Sequence, residues 1–271
     1  MSTRIIAVSN QKGGTAKTTT CINVAACLVE IGRRVLVVDL DPQANLTRGF
    51  GLHKSDDSVS AYDLIMGRVR AEETIQRGPV DNLDVIRSGI ELAGAETELI
   101  GEIGRERRLQ FALSSVSRNI YDYIIIDTPP NLGILMVNAI SMATEVIIPT
   151  QPASFALSGL ERLIGIIATI QERVNPELST WRILLTMVDS RRNEDKLNRL
   201  TIRQRYESSV FSTEIRINTR LVEATRVGRP VLLYDRKSAG SQDYSELALE
   251  IEGFGAGADD KGWVEGGVVN A

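Results

Sequence analysis

Short apolar runs recur along the chain and alternate with stretches that carry a helical pattern. The runs occupy residues 4–8, 35–39, 83–86, 123–127, 145–149 and 183–189. Continuous apolar runs of this length are typical of strands in a parallel sheet that is buried on both faces. Helical patterns begin at residue 22 and recur at residues 60–66, 105–118 and 157–174. The alternation predicts an α/β fold with a single doubly wound, mostly parallel sheet flanked by helices.

The stretch N-Q-K-G-G-T-A-K-T-T-T at residues 10–20 lies between the first strand and the first helix. A strand, a glycine pair, Lys-Thr and a helix N-terminus together are typical of a phosphate-binding loop. Gly13 and Gly14 let the backbone N–H groups point at phosphate oxygens without a Cβ in the way. Lys17 supplies positive charge to the β- and γ-phosphates, and the Thr18 hydroxyl is placed to ligate Mg²⁺. The sequence therefore predicts a nucleotide site.

This loop departs from the standard pattern G-x-x-x-x-G-K-[ST], because Gln11 and Ala16 occupy the places of both outer glycines. It has instead a second lysine, Lys12, five residues before Lys17. K-G-G-x-x-K-T-T resembles the deviant Walker A loop of the ParA/MinD-type P-loop ATPases, whose pattern is K-G-G-x-G-K-[ST]. The resemblance implies that Lys12 reaches across a dimer interface to the phosphates of the partner subunit. It also implies ATP contacts from the residues Lys12, Gly13, Gly14, Thr15, Ala16, Lys17, Thr18 and Thr19.

Ala16 stands where the family has a glycine. If this position requires a positive φ angle, an alanine costs roughly 1–2 kcal/mol and weakens nucleotide binding about tenfold. If the position lies in the right-handed region, the cost is small. The departure bears on affinity and rate more than on the class of function.

Two aspartates follow strands that we expect beside the loop. Asp41 belongs to D-L-D-P-Q-A-N, and the resembled family has D-x-D-P-Q-x-N, where this acid helps to place the attacking water and the metal. Asp127 ends a Walker B strand and is followed by T-P-P; such a carboxylate holds Mg²⁺ together with Thr18. The predicted cofactors are ATP and Mg²⁺, and Met187, near the end of the strand at residues 183–189, is a candidate contact of the adenine. The predicted catalytic residues are Lys12, Lys17, Asp41 and Asp127.

Composition adds little to this assignment. The chain has 271 residues, of which 43% are hydrophobic and 24% charged, as in an ordinary soluble globular protein. Cys21 and Cys27 lie in one predicted helix, so we expect packing residues and neither a disulfide nor a metal site. The single histidine, His53, receives no role. The first strand begins close to the N-terminus and no apolar run is long enough for a membrane span, so we expect no signal peptide and a cytoplasmic protein.

Charge is unevenly distributed. Residues 182–237 carry 13 Lys and Arg against 7 Asp and Glu, whereas the whole chain has a net charge of −4. We call residues 182–237, which make up most of the C-terminal third of the chain, the basic third. A basic region of this kind in an acidic protein suggests a polyanion as a partner. In the partition ATPases of the resembled family, basic residues of this third bind DNA without sequence preference. The matching stretches S-R-R-N and I-N-T-R-L-V-E-A give Arg191 and Arg220 as the best candidates, with Arg192 beside the first. Ile217 replaces a third family arginine, and Arg216, directly before it, is the candidate to compensate.

The resemblance covers about residues 4–252, so we predict one ATPase domain at residues 1–252 and a flexible glycine-rich tail at residues 253–271. The tail lacks the basic amphipathic pattern of a membrane-binding helix, so no membrane partner is expected. The resemblance implies a homodimer formed with ATP, non-specific DNA binding, nucleoid association, and slow hydrolysis that a ParB-like partner or cargo adaptor stimulates. The implied function is partition of a chromosome, a plasmid or another cargo.

Two alternatives remain at this point. One is a positioning ATPase of the same architecture that moves a protein assembly, since the partner recognises the cargo. The other is a P-loop kinase or synthetase that transfers the γ-phosphate to a small molecule. Lys12 and the basic third favour the partition ATPase, whereas a product that depends on an acceptor would favour the kinase or synthetase.

Overall fold

The computed structural model describes residues 2–52, 59–116, 120–153 and 156–255. His53 lies outside these residues, as do residues 256–271, the larger part of the predicted tail. The strands are β1 (Arg4–Val8), β2 (Val35–Asp39), β3 (Ile75–Arg77), β4 (Leu83–Ile86), β5 (Tyr123–Asp127), β6 (Glu145–Thr150) and β7 (Thr180–Leu185).

The helices lie between and after these strands. The first six are α1 (Lys17–Glu30), α2 (Asn45–Gly49), α3 (Ala61–Ile65), α4 (Ala71–Thr74), α5 (Leu92–Glu98) and α6 (Arg108–Ala112). The second six are α7 (Ile134–Met142), α8 (Ala156–Arg173), α9 (Asn193–Tyr206), α10 (Thr219–Arg226), α11 (Val231–Tyr234) and α12 (Ala239–Gly255).

The strands form one seven-stranded sheet in the order β3-β4-β2-β5-β1-β6-β7. Every neighbouring pair is parallel except β3 and β4, which are antiparallel. In the register of the three central strands, Asp127 lies opposite both Val8 and Asp39. The carboxyl ends of β1, β2 and β5 therefore meet at one edge of the sheet, where ligands of open α/β folds bind.

Apolar residues cover both faces of the sheet. β2 and β5 are buried at every position, which explains their unbroken apolar runs. Along β1, Ile5 and Ala7 contribute to a core with α7 and α8, whereas Ile6 and Val8 face a second core with α1 and α12. Helices on both faces make this a doubly wound sheet, which confirms the predicted fold class.

Several boundaries differ from the sequence-based prediction. The last strand is Thr180–Leu185, earlier than the predicted residues 183–189, because its partner β6 ends at Thr150, opposite Leu185. The predicted helix at residues 105–118 is a short 3-10 turn followed by α6, and Arg118 lies outside the described residues. The short antiparallel strand β3 was not predicted. The last helix includes the first three residues of the predicted tail.

Both cysteines are packing residues, as predicted. Cys21 and Cys27 are free, and they are buried in the core that α1 forms with α12. Burial raises the pKa of the Cys27 thiol to about 11, so the thiol is protonated at neutral pH.

Candidate functional site

The loop between β1 and α1 turns through two residues in the left-handed region. Gly14 has a φ angle of 72°, and Ala16, directly before α1, has a φ angle of 67° and a ψ angle of 27°. Ala16 therefore has the positive φ angle at which an alanine is strained, and the strain amounts to roughly 1–2 kcal/mol. Its carbonyl still accepts the Thr20 N–H at 2.8 Å, so α1 begins in a regular way despite the strained residue before it.

The two lysines of the loop have opposite environments. Lys17 is 7% exposed, and its Nζ donates to the Lys12 carbonyl at 3.3 Å. Burial lowers the pKa of Lys17, and the nearby Asp127 and Asp41 carboxylates act in the other direction. The Lys12 side chain is exposed and makes no ion pair within the described part of the chain. Lys17 therefore lies buried beside the carboxylates of the sheet edge, whereas the Lys12 side chain faces outward.

Asp127 ends β5 next to the first turn of α1. The Thr18 hydroxyl donates to Asp127 Oδ2 at 2.7 Å, while Oδ1 is buried without a hydrogen-bond partner among the described residues. Burial, and then the charge of Asp39 on the neighbouring strand, raise the pKa of Asp127 well above its usual range. A free buried carboxylate oxygen beside a hydroxyl is the kind of oxygen pair that Mg²⁺ prefers. The residues predicted to hold the metal therefore fit it.

Asp41 lies in the turn after β2 and is 7% exposed. Its Oδ1 accepts the Gln43 N–H at 2.9 Å, and its own N–H donates to Asp39 Oδ1 at 3.1 Å. Asp39, fully buried, has its pKa raised by burial, while hydrogen bonds from Thr47 lower it. The structure thus places Asp41 at the same sheet edge as Lys17 and Asp127.

Two threonines hold the loop against the neighbouring strand ends. Thr128, after β5, donates to the Val8 carbonyl at 2.9 Å, and its hydroxyl oxygen lies 3.1 Å from that of Ser9. Thr186, after β7, donates to the Thr15 carbonyl at 3.1 Å. These contacts fix the loop to both β5 and β7, and sequence reasoning assigned no role to Thr186.

Met187 lies one residue beyond Thr186, in the left-handed region with a φ angle of 53° and a side chain that is 39% exposed. It follows β7 instead of belonging to it, in contrast to the predicted strand. Ala16, Ala44 and Met187 are three of the five residues other than glycine with a positive φ angle in the described part of the chain. All three stand in loops at this edge, consistent with strain that is concentrated at functional sites.

The loop after α2 packs tightly against the turn after α10. A Cβ on Gly228 would lie 2.6 Å from the Gly51 Cα, and both glycines have positive φ angles. The backbones are therefore in direct contact, which joins the segment that follows Asp41 to the helix that carries Arg220.

The arginines of the basic third lie on two neighbouring segments, which a bridge between Val188 and Arg216 connects. Arg191 pairs with Asp189 at 2.8 Å, and Arg220 pairs with Glu223 at 2.6 Å, in exposed positions. Arg192 pairs with Glu194 at 3.5 Å and Asp195 at 3.9 Å. Arg216 differs, because it holds the buried Asp243 of α12 through both its backbone N–H and its guanidinium.

The first strand of the parallel sheet enters a lysine-bearing loop, and the Walker B aspartate Asp127 is hydrogen-bonded to the first turn of α1. These features define a P-loop nucleotide hydrolase. A family model described as an AAA domain matches residues 3–180. The chain is 44% identical over 252 residues to the sporulation initiation inhibitor protein Soj of Bacillus subtilis, covering 93% of this chain and 99% of that protein.

The chain is also 39% identical over 249 residues to the chromosome partitioning protein ParA of Caulobacter vibrioides, covering 92% of this chain and 93% of that protein. Among solved structures, a cobyrinic acid a,c-diamide synthase from Mycobacterium smegmatis with bound ATP analog and magnesium matches with a TM-score of 0.82 and 34% identity. That match covers 94% of this chain and 96% of the other.

The chain therefore belongs to the ParA/Soj type of the ParA/MinD ATPases. The predicted family and the predicted ATP hydrolase class are confirmed, and the ATP analog and magnesium of the solved relative agree with the predicted cofactors. No helix in the described ranges is both long and apolar enough to cross a membrane.

Proposed function

We propose that this protein is a partition ATPase that dimerises around ATP, binds DNA without sequence preference and releases it after hydrolysis. The observation that carries the proposal is the opposite exposure of two lysines in one loop. Lys17 is buried in its own site. Lys12 accepts a hydrogen bond from Lys17 through its backbone carbonyl, while its exposed side-chain ammonium is available to another partner. Phosphates of a second subunit are a partner of the right charge.

ATP and Mg²⁺ occupy the sheet edge in this proposal. Lys17 uses one of its three N–H donors on the Lys12 carbonyl and keeps the others for the β- and γ-phosphates. The Thr18 hydroxyl and the free oxygen of Asp127 would hold the metal, which would supply positive charge against the charge that develops on the phosphates. Gly13, Gly14, Thr15, Ala16 and Thr19 would supply the remaining loop contacts, and Met187 would contact the base.

Hydrolysis requires a water molecule in line with the γ-phosphate. Besides Asp127, two acids lie at this edge. Asp39 is fully buried with both oxygens hydrogen-bonded, which leaves Asp41 for this task, and the position of Asp41 is fixed by its own backbone hydrogen bond to Asp39. Asp41 orients the attacking water. As the water oxygen bonds to the γ-phosphorus, the bond from that phosphorus to the β–γ bridging oxygen breaks and ADP leaves; one proton of the water stays on the inorganic phosphate and the other passes to solvent. The basal rate is slow, and a ParB-like partner or cargo adaptor stimulates it.

DNA binding belongs to Arg191 and Arg220, with Arg192 beside them. The arginine side chains are exposed and their partner acids Asp189 and Glu223 are partly accessible, and such ion pairs contribute little because water and salt screen them. DNA phosphates can therefore replace Asp189 and Glu223. Arg216 is a weaker candidate, since its guanidinium holds the buried Asp243. Dimerisation doubles the number of phosphate contacts on one surface, which makes DNA binding depend on ATP.

The experiment measures oligomeric state and DNA binding of the full chain with ATP, with ADP and without nucleotide. We expect dimers and DNA binding with ATP alone. Lys12→Ala should bind ATP as a monomer and lose DNA, whereas Arg191→Ala combined with Arg220→Ala should lose DNA as an intact dimer. A Lys12→Ala protein that dimerises and holds DNA normally would refute the proposal, as would a wild-type monomer under all conditions.

A second candidate function is a synthetase that acts on a small molecule, and the name of the solved Mycobacterium smegmatis relative favours it. Turnover of ATP without an acceptor separates the two. The partition ATPase hydrolyses ATP alone, and added cobyrinic acid leaves the rate unchanged. A rate that rises with cobyrinic acid when glutamine or ammonia is supplied as the nitrogen donor, together with an amidated or phosphorylated product, would favour the synthetase. The same ATPase acting on a protein assembly would differ only in the cargo that its partner carries.

A further inference from the structure

Asp39 is the centre of a hydrogen-bond network behind the turn that carries Asp41. It is fully buried at the end of β2, and both of its oxygens accept hydrogen bonds. Oδ1 accepts the Asp41 N–H at 3.1 Å. Oδ2 accepts the backbone N–H of Thr47 at 2.9 Å and the Thr47 hydroxyl at 2.6 Å. One carboxylate thus connects the residue that orients water to a threonine six positions further along the chain.

Thr47 is itself fixed from the other side. Its hydroxyl oxygen accepts the backbone N–H of Ser88 at 3.1 Å, and Ser88 follows β4 in the sheet. Thr47 is 4% exposed, so water does not compete for these bonds. The hydrogen bonds link Ser88, Thr47, Asp39 and Asp41 in that order. Together they join the end of β4 to the loop after β2.

The same network replaces a missing helix cap. The residue before α2 is Ala44, which is left-handed and makes no side-chain hydrogen bond to the helix. The first N–H groups of a helix lack intrahelical acceptors and need outside partners. Asp39 supplies one of these acceptors through the Thr47 N–H, so the start of α2 and the position of Asp41 depend on the same carboxylate.

We propose that Thr47 is a positioning residue for ATP hydrolysis, acting through Asp39 to hold Asp41 where it orients water. The inference rests on the proposed function, because it requires Asp41 to act on the water. Thr47 makes no contact with nucleotide in this proposal. Its hydroxyl sets the orientation of the Asp39 carboxylate, and the carboxylate sets the position of the Asp41 backbone.

Thr47→Val tests this directly, because it keeps the branched shape and removes the hydroxyl. Asp39 then loses one donor and the buried Ser88 N–H loses its acceptor. We expect kcat to fall about tenfold to a hundredfold, since small displacements of a catalytic group are that costly. The KM for ATP and the ATP-dependent dimer should change less than about threefold. Thr47→Ser keeps the hydroxyl and should restore most of the rate.

Thr74→Val is the matched control. Thr74 is also fully buried and also donates through its hydroxyl, to the Ala71 carbonyl at 2.7 Å, but it lies in α4. The control should retain the wild-type kcat. Rates are expressed per bound ATP, measured by calorimetry, so that a partly folded sample does not imitate a slow enzyme. Asp39→Asn is the second variant, because its amide nitrogen opposes the Thr47 donors, and it should also lower kcat with ATP still bound.

A double substitution tests whether Thr47 acts through Asp41. In an Asp41→Ala background, Thr47→Val should lower kcat no further, because the group that it positions is gone. A further tenfold fall in this background would overturn the inference, as would a normal kcat in Thr47→Val alone. A normal kcat in Asp41→Ala alone would instead overturn the proposed role of Asp41, so the two failures are distinguishable.

Discussion

The phosphate-loop edge and the basic third are both charged regions, but they use charge in different ways. At the loop, Lys17 is 7% exposed and Asp127 is fully buried, and hydrogen bonds fix each side chain in one position. In the basic third, the side chain of Arg191 is 86% exposed and that of Arg220 is 50% exposed. Each pairs with a carboxylate that another anion can replace. The first region depends on geometry, whereas the second depends on the number of charges.

This difference has a physical origin. Charges removed from water interact strongly and must be matched by fixed partners, so one displaced group disturbs all of its neighbours. Exposed charges are screened, and one arginine can substitute for another without a change of fold. Substitutions at the loop should therefore give large and specific losses, and those in the basic third should give smaller, additive and salt-dependent ones.

The largest effect is expected for Asp41→Ala. Hydrolysis should fall about 10²–10⁴-fold, the usual contribution of a positioned acid or base, while ATP binding and dimerisation persist. DNA should therefore remain bound. Release of phosphate and DNA retention are measured on the same sample, with Asp81→Ala, an exposed aspartate, as the control. Normal turnover in Asp41→Ala would mean that another residue orients the attacking water.

Lys17→Ala should lower ATP affinity by about a hundredfold or more, because a buried cation is lost from beside a tetra-anion. Calorimetric titration of ATP measures the change. Lys196→Ala, in the exposed part of the basic third, removes the same charge and should leave ATP affinity unaltered. Equal losses in the two variants would remove the contrast between the two regions.

DNA binding by the basic third should weaken as the salt concentration rises. Arg191→Ala combined with Arg220→Ala should lower the slope of log affinity against log salt by about 0.9 for each lost phosphate contact. Arg162→Ala combined with Arg173→Ala removes two exposed arginines from α8 and serves as the control. DNA affinity of the ATP form is measured between low and physiological salt. An unchanged slope in the first pair would place the DNA surface elsewhere.

The smallest effect is expected for Ala16→Gly. Glycine adopts the left-handed conformation without strain, so the free energy of unfolding should rise by about 1 kcal/mol, less the cost of a more flexible unfolded chain. Ala168→Gly, at an exposed position in the interior of α8, should have the opposite sign, because the helix interior disfavours glycine by about the same amount. Chemical denaturation compares the two variants. A loss of stability in Ala16→Gly would show that the alanine is unstrained.

Sequence reasoning located residues that the structure brings together where they stand next to one another at the end of a strand. The loop, Lys17 and Asp127 follow from local patterns, and the parallel sheet brings the strand ends together. Thr47 was not predicted, because its role depends on where α2 begins relative to Asp39. The partner of Arg216 was also beyond sequence reasoning, since Asp243 lies 27 residues away on α12. Met187 was placed in a strand because its apolar run continues past the point where β6 stops.

The contact between Gly51 and Gly228 bears on how the sequence can change over time. No side chain fits at Gly228, because a Cβ there would lie 2.6 Å from the Gly51 Cα. A Cβ at Gly51 would lie 3.1 Å from the Gly228 carbonyl oxygen, and both backbones are left-handed. Neither glycine can be exchanged until the opposite loop has moved away. The two positions therefore evolve as a pair, and a lineage that loses one of them is expected to have rebuilt the other loop first.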